Sequence, residues 1–353
     1  MKAAILYGKE DVRVELIEPK GLQRGEVRIR IQAALTCGTD LKVFRRGYHA
    51  KMIVPPAVFG HELAGTVEEV RGSRIEARDW NPEEVKATWK PGDRVVVANS
   101  APCGACFYCR HGQENLCDDL LFLNGAYAEY IVVPERIVRK NMLRLKPETS
   151  FLDAALVEPL ACVAQGIEDI GVQRGQHVLV IGSGPIGLMF VALARDLGCT
   201  VAVAGRGEKR LETGRRLGAK EVFNVAQSSE LAKVVPHDAR FDVVIEAVGK
   251  PETWEAAVRF VRKGGTVNFF GGCPSGTKVS LDTSLLHYSS LTLLASFHHT
   301  PRTIRRALGY IESGVIRAAD FVDGECSLNE LPKLFKSMGE GNRAVKTLIR
   351  VHE

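Results

Sequence analysis

One stretch, residues 177–204, limits the folds open to this chain more than any other. His177 to Ile181 reads as a buried parallel strand, and Gly182-Ser183-Gly184-Pro185-Ile186-Gly187 follows at once. Leu188 to Leu197 is helical in pattern, Gly198 ends it, and a second strand reads from Thr200 to Ala204. A strand, a G-x-G-x-x-G turn, a helix and a second strand together form the context of a dinucleotide site. Gly182 permits the tight turn, Gly184 lets the backbone approach a pyrophosphate, and Gly187 allows the helix to pack close to the strand. The helix N-terminus then faces the phosphates. Further strands are expected at Glu221–Asn224, Phe241–Gly249, Gly265–Phe270 and Leu291–Ser296, with a helix around Thr253–Val261. This alternation predicts a parallel sheet covered on both faces.

The end of the second strand bears on which nicotinamide cofactor binds. An acidic residue there accepts hydrogen bonds from the ribose 2′-OH of NAD, but the chain reads Gly205-Arg206-Gly207, with Lys209 and Arg210 close behind. Gly205 removes a carboxylate that repels a 2′-phosphate, and the Arg206 guanidinium offers a fork to bind one. The expectation is NADP(H) in preference to NAD(H). Gly205→Asp with Arg206→Leu is expected to reverse it.

Four of the nine cysteines, Cys103, Cys106, Cys109 and Cys117, fall within fifteen residues as C-x2-C-x2-C-x7-C. Two-residue gaps let neighbouring thiolates converge on one metal, and four thiolates describe a closed tetrahedral zinc site. A bacterial iron–sulfur motif also begins C-x2-C-x2-C, but its fourth Cys follows after three residues and precedes Pro. Here the fourth precedes Asp118. Cys37 stands apart, after the strand-like run Val27–Ile31. Cys162, Cys199, Cys273 and Cys326 read as small buried or half-buried thiols.

The 353 residues, 45% apolar and 25% charged, exclude a disordered chain and suit roughly two domains. The net charge of +5 is scattered rather than clustered, which argues against nucleic-acid or membrane partners. The first ten residues lack the apolar core of a signal peptide, and no window approaches about 18 uncharged apolar residues. The expectation is a cytoplasmic protein whose cysteines are ligands or thiols.

Five motifs stand in order along the chain: Cys37-Gly-Thr-Asp40, Gly60-His-Glu-Leu-Ala-Gly65, Pro91-Gly-Asp-Arg-Val95, the four-Cys lobe, and Gly182 to Gly187. Glu158-Pro159-Leu-Ala-Cys162 accompanies them. Over nearly its whole length the chain resembles the zinc-dependent medium-chain dehydrogenase/reductase superfamily, the alcohol dehydrogenase family. Within that superfamily it is most similar to the polyol (sorbitol) and threonine dehydrogenase branch. The resemblance implies an α/β plus β chain: a GroES-like catalytic domain, rich in β structure, with an inserted Rossmann domain. The expected limits are 1–150 for the catalytic domain, 151–295 for the nucleotide domain, and 296–353 for the return to the catalytic domain. Ile75 to Trp89 reads as extra length, a surface insertion.

The resemblance also implies chemistry. A zinc ion with an open position lowers the pKa of a bound hydroxyl, or polarises a carbonyl in reverse. Cys37 and His61 are a suitable thiolate and imidazole pair for it. Glu62 and Glu158 both occupy positions used near the metal, one binding directly and the other holding zinc-bound water or exchanging with it. Thr39 is implied as the first group of a proton relay, continued by Lys42, or by His49 with Lys42 binding a cofactor phosphate instead. Phe59, His298 and His299 fall where the branch lines its substrate cleft. The expected activity is hydride transfer between a secondary alcohol, polyol-like or cyclitol-like, and NAD(P), by a homodimer or homotetramer with two zinc ions per chain. Two alternatives compete: a zinc-free quinone reductase, which has no use for Cys37, His61 or the lobe, and a zinc-ribbon protein that binds nucleic acid. Against the second, Glu114, Asp118 and Asp119 oppose the basic residues of the lobe.

Overall fold

The computed structural model describes residues 1–49, 51–72, 89–226, 231–236, 240–341 and 344–352. The expected insertion at Ile75–Trp89 lies, apart from Trp89, outside the described residues. The chain forms two compact units, Met1–Pro159 with His299–Glu353, and Leu160–His298. The crossings fall at 159/160 and 298/299 rather than at 150/151 and 295/296. The first lies within one continuous helix, Val157–Ile170, and a helix carries no loop signal for a sequence reading to find.

The first unit opens with strands β1 (Lys2–Gly8), β2 (Asp11–Leu16), β3 (Val27–Leu35), β4 (Ala57–Val58) and β5 (Glu62–Val70). It continues with β6 (Arg94–Val97), β7 (Ser100–Ala101), β8 (Leu121–Phe122), β9 (Tyr130–Val133) and β10 (Met142–Arg144). The second unit holds β11 (His177–Ile181), β12 (Thr200–Gly205), β13 (Glu221–Asn224), β14 (Phe241–Glu246), β15 (Val261–Phe269) and β16 (Thr292–Leu294). The return to the first unit adds β17 (Val322–Ser327) and β18 (Lys346–Arg350).

In the second unit the strands pair in parallel in the order β13-β12-β11-β14-β15-β16. That is the doubly wound order, whose direction of winding reverses between β11 and β14. Strand cores such as Val178–Ile181 and Val243–Ile245 are fully buried, as a sheet covered on both faces requires. Strand β14 stops at Glu246 instead of running to Gly249. Its own carboxylate turns back to accept from the amides of Val248 (2.9 Å) and Gly249 (3.0 Å) and from the Thr253 hydroxyl (2.7 Å). The helix expected at Thr253–Val261 runs from Pro251 to Ala257, with proline fixing its first turn.

The first unit is built on a seven-stranded mixed sheet, β10-β6-β5-β3-β18-β17, with β9 also paired to β3. Its core gathers Val27, Ile29 and Ile31 of β3 with Leu63 and Val67 of β5, Tyr127 and Phe335. Among the described residues no helix is long and apolar enough to cross a membrane.

Candidate zinc and nucleotide sites

Strand pairing gathers the metal-type residues. Leu35, the last residue of β3, pairs with Glu62, the first of β5, on one side and with Leu348 of β18 on the other. Cys37, His61, Glu62 and Lys346 are thereby brought together from three distant stretches. Cys37 is also the N-cap of the helix Gly38–Arg46. Its sulfur accepts from Thr39 N at 3.4 Å, and the Asp40 carboxylate accepts from Cys37 N at 3.3 Å. The ligand atoms of Cys37, His61 and Glu62 all lie within 4.8 Å of one another.

Asp40 Oδ1 lies 2.9 Å from His61 Nδ1, and both residues are buried. Nδ1 is thus the ring nitrogen that lies beside a carboxylate, which leaves Nε2 for a metal. The Tyr127 hydroxyl donates to the other Asp40 oxygen. Burial opposes a charged imidazole, but Asp40 and Cys37 outweigh it and raise the His61 pKa well above its usual value. The cluster attracts positive charge. One carboxylate oxygen of Glu62 accepts from Lys346 Nζ, while Oε1 is buried without a hydrogen-bond partner. A buried, unsatisfied acceptor beside a thiolate and an imidazole fits a zinc ion with a thiolate, imidazole and carboxylate set.

Lys346 was not anticipated from the sequence. It is 2% exposed and donates to Glu62 and, at 3.1 Å, to Thr36 O. Its only signal is a lysine within the apolar-patterned run Ala344–Ile349. Glu158 sits in the first turn of the helix Val157–Ile170, outside the tight Cys37–His61–Glu62 set. Burial, with the nearby negative charge of Glu62 adding to it against the pull of His61, pushes its carboxyl up to about 7. His299 Nε2 lies 3.9 Å from Glu158 Oε1 and 3.0 Å from Asn99 Oδ1. His299 is therefore a buried neighbour of Glu158.

The remaining expected residues are distributed unevenly. Thr39 is half-buried in the first turn of its helix, and Lys42 lies on that helix's exposed side. His49 Nδ1 accepts from the amides of Met52 (3.1 Å) and Lys51 (3.3 Å). Burial, then Arg46 and His61, lowers its pKa, so the ring is neutral at pH 7. A neutral ring that accepts at Nδ1 carries its proton on Nε2. In that tautomer Nδ1 is engaged by the two backbone amides and Nε2 is the donor. The Phe59 ring is fully buried in the core, 5.7 Å from Tyr127 and 5.4 Å from Phe335 between centroids. His298 is half-exposed and holds a left-handed backbone, φ 62°.

The four lobe cysteines bring their sulfurs within 4.8 Å of one another. Amides point at the sulfurs: Cys103 N at Cys117 (3.2 Å), Gly104 N at Cys109, and Ala105 N and Cys106 N at Cys103, each of these three at 3.3 Å. Backbone amides of Cys109 and Asp118 pull the Cys106 thiol down to about 6, whereas burial pushes Cys109 up to about 12. This donor set fits a tetrahedral zinc.

The glycine-rich turn of the second unit lies at the C-terminal end of β11, beside the reversal in strand order. Gly182 has φ 123°, which suits glycine. A Cβ at Gly187 stands 1.8 Å from Gly182 O, so nothing larger fits. At Gly184 a Cβ meets nothing within 4 Å, and Gly184 caps the helix Pro185–Asp196 without any side-chain hydrogen bond. Open space before uncapped amides is the cradle that a pyrophosphate fills. At the end of β12, Ser183 Oγ donates to Arg206 O (2.9 Å) and accepts from Arg206 N (3.1 Å). A Cβ at Gly205 stands 2.2 Å from Ser183 Oγ and 2.8 Å from Ser183 N. Gly205→Asp therefore collides with the loop it was expected to retune. Arg206 is exposed and Arg210 half-exposed in the following helix.

Comparison with known proteins places the family. Residues 23–142 match the alcohol dehydrogenase GroES-like domain, and residues 185–313 match the zinc-binding dehydrogenase domain. The chain is 32% identical over 323 residues to D-altritol 5-dehydrogenase of Agrobacterium fabrum, covering 89% of each. It is 29% identical over 340 residues to sorbitol dehydrogenase of Bacillus subtilis, covering 94% of this chain and 91% of that one. A zinc-binding dehydrogenase of Sinorhizobium meliloti, solved bound to NADP, superposes with a TM-score of 0.84 at 29% identity over 99% of this chain and 98% of that chain. The chain belongs to the zinc-dependent medium-chain dehydrogenase/reductase superfamily, in its polyol and threonine dehydrogenase-like branch, and is an NAD(P)-dependent alcohol dehydrogenase.

Proposed function

We propose that the chain interconverts a secondary alcohol of a polyol, sugar alcohol or cyclitol and its ketone, with NADP(H) preferred over NAD(H). The observation that carries this reading is the Cys37–His61–Glu62 set, with its buried and unsatisfied Glu62 Oε1. Zinc bound there supplies a Lewis acid that lowers the pKa of an alcohol hydroxyl or polarises a carbonyl. The chain's own groups do the rest. Asp40 holds the His61 ring so that Nε2 faces the metal. Lys346 balances the Glu62 charge, and of Glu62 and Glu158 one would bind the metal directly while the other holds the metal-bound water or exchanges with it. Thr39 is the group that passes the alcohol proton outward. Polyol chemistry is supported by the altritol and sorbitol dehydrogenases among the relatives.

The amides at Gly184 to Gly187 hold the cofactor pyrophosphate, and Arg206, anchored through its backbone to Ser183, meets the ribose 2′-phosphate, with Arg210 behind it. The NADP-bound relative supports this assignment. Cys103, Cys106, Cys109 and Cys117 would hold a second zinc. The protein is proposed to work in the cytoplasm as a homo-oligomer, on a small-molecule substrate.

The test is a polyol and cyclitol panel with both cofactors, together with metal analysis of unchelated protein. Two zinc ions per chain are expected. A charge-assisted fork is worth about 1.5–3 kcal/mol, so kcat/KM is expected to favour NADP roughly ten- to a hundredfold. Arg206→Leu is expected to erase most of that factor through cofactor KM, because the adenosine end binds ground and transition states alike. Equal or better kcat/KM with NAD removes the NADP assignment. Absence of turnover on every secondary alcohol tested removes the polyol assignment.

A further inference from the structure

Asp40 is tied to both of the nearest metal-type residues. Its Oδ1 lies 2.9 Å from His61 Nδ1, and its Oδ2 accepts from Cys37 N at 3.3 Å. The short segment Gly125–Tyr127 closes on the same place from the other side of the fold. Gly125 N and Ala126 N both donate to Gly60 O, at 2.8 and 3.0 Å, and Tyr127 N donates to Phe59 O at 2.9 Å. Three amides thus grip the two residues that precede His61. The Tyr127 ring lies against Gly60, where φ is 86° and a Cβ stands 2.7 Å from the ring carbons. The Tyr127 side chain is fully buried, and its hydroxyl donates to Asp40 Oδ2, with Leu35 O at 3.2 Å.

We propose that Tyr127 is a positioning residue for the zinc set: its backbone amide holds Phe59 O, two residues before His61, while its hydroxyl fixes the Asp40 carboxylate that lies against both Cys37 and His61. A phenylalanine at 127 fills the same space against Gly60, Phe59 and Phe335, so packing alone does not call for a hydroxyl there. The hydroxyl has a polar job, because a buried O–H needs an acceptor and its strongest acceptor here is a carboxylate. Without it, Asp40 Oδ2 keeps only the longer bond from Cys37 N. The carboxylate is then free to turn, and the His61 ring turns with it.

The inference rests on the proposed metal at Cys37 and His61, and the test separates the two. Zinc-loaded wild type, Tyr127→Phe and Cys37→Ser are mixed with a chromophoric chelator, and zinc release is followed in time. Cys37→Ser identifies the phase that belongs to the Cys37–His61 set; the remaining phase reports the four-Cys lobe and serves as the monitor of folding. Partners of metal ligands typically change affinity by about 10–100-fold, and Tyr127 acts through one of them, so about tenfold faster release in the first phase is expected. The lobe phase is expected to stay unchanged. The d–d spectrum of the cobalt-substituted protein is expected to shift, and kcat to fall with cofactor KM unaltered. Tyr127→Phe that matches wild type in release and cobalt spectrum overturns the proposal, as does acceleration of both phases together, which marks general loosening. If Cys37→Ser removes no phase, the metal assignment itself fails and this inference falls with it.

Discussion

At the scale of single residues, the Glu62–Lys346 pair matters because neither charge reaches water. Burial pushes the Glu62 carboxyl up, and Lys346 and His61 pull it back. Removing one member of a buried pair leaves the other uncompensated, at a cost of about 3–5 kcal/mol. Lys346→Met is therefore expected to destabilise the metal-stripped first unit by about that amount. Exchange of the β3 and β5 amides measures it, since those strands open only with the core. The double variant Lys346→Met with Glu62→Gln is expected to recover more than half of the loss, because no bare charge then remains. Failure to recover means that Lys346 acts through its bond to Thr36 O and not through Glu62. Cys37, His61 and Glu62 were legible as ligand types in named motifs. Lys346 was not, because its partner is 284 positions away and only the pairing of β3 with both β5 and β18 joins them.

At the scale of elements, the lobe from Cys103 to Cys117 has little apolar core of its own. Its helix Phe107–Arg110 is one turn, Phe107 and Leu116 are exposed, and of its side chains Cys109 and Cys117 are buried. Metal-linked folding energy takes the place of hydrophobic burial in such a segment. Cys106→Ser is expected to lower zinc content from two ions to one per chain and to lower the melting temperature while leaving turnover at permissive temperature. Unchanged zinc content contradicts the four-thiolate assignment. The spacing of these cysteines was readable because each pair closes locally. The turn at Gly205 was only half readable. A missing carboxylate is visible in sequence, but the reason an added one collides, Ser183 folded over Gly205 from the previous loop, is a contact across 22 positions. Strand ends were likewise misjudged where a side chain intervened, as Glu246 does at the end of β14.

At the scale of the molecule, the order of strands and helices in the second unit was legible because buried parallel strands read as apolar runs between glycine-rich turns. A surface that would join two copies is harder to read, since an inward and an outward leucine look alike in a short helix. Leu285 and Leu286 of the short helix Thr283–Tyr288 pack against the core of the second unit. What stays outside is Tyr288, 79% exposed at the end of the helix Thr283–Tyr288, and β16, the last strand of the sheet with β15 as its single partner there. An open strand edge beside an exposed aromatic invites pairing with an identical edge across a two-fold axis. A stable interface of this kind needs roughly 1,200–2,000 Å² in total, which a three-residue strand cannot supply without the adjoining helix. Tyr288 is thus the side chain on which such a pairing would depend. Wild type is expected to scatter light as a multiple of 38.6 kDa at micromolar concentration, and Tyr288→Glu, which places like charges opposite each other, is expected to shift the mass to 38.6 kDa with its circular dichroism retained. A wild type that already measures 38.6 kDa removes the oligomer. A Tyr288→Glu variant that keeps the wild-type mass moves the interface elsewhere and leaves the β16 edge to be protected by its shortness alone.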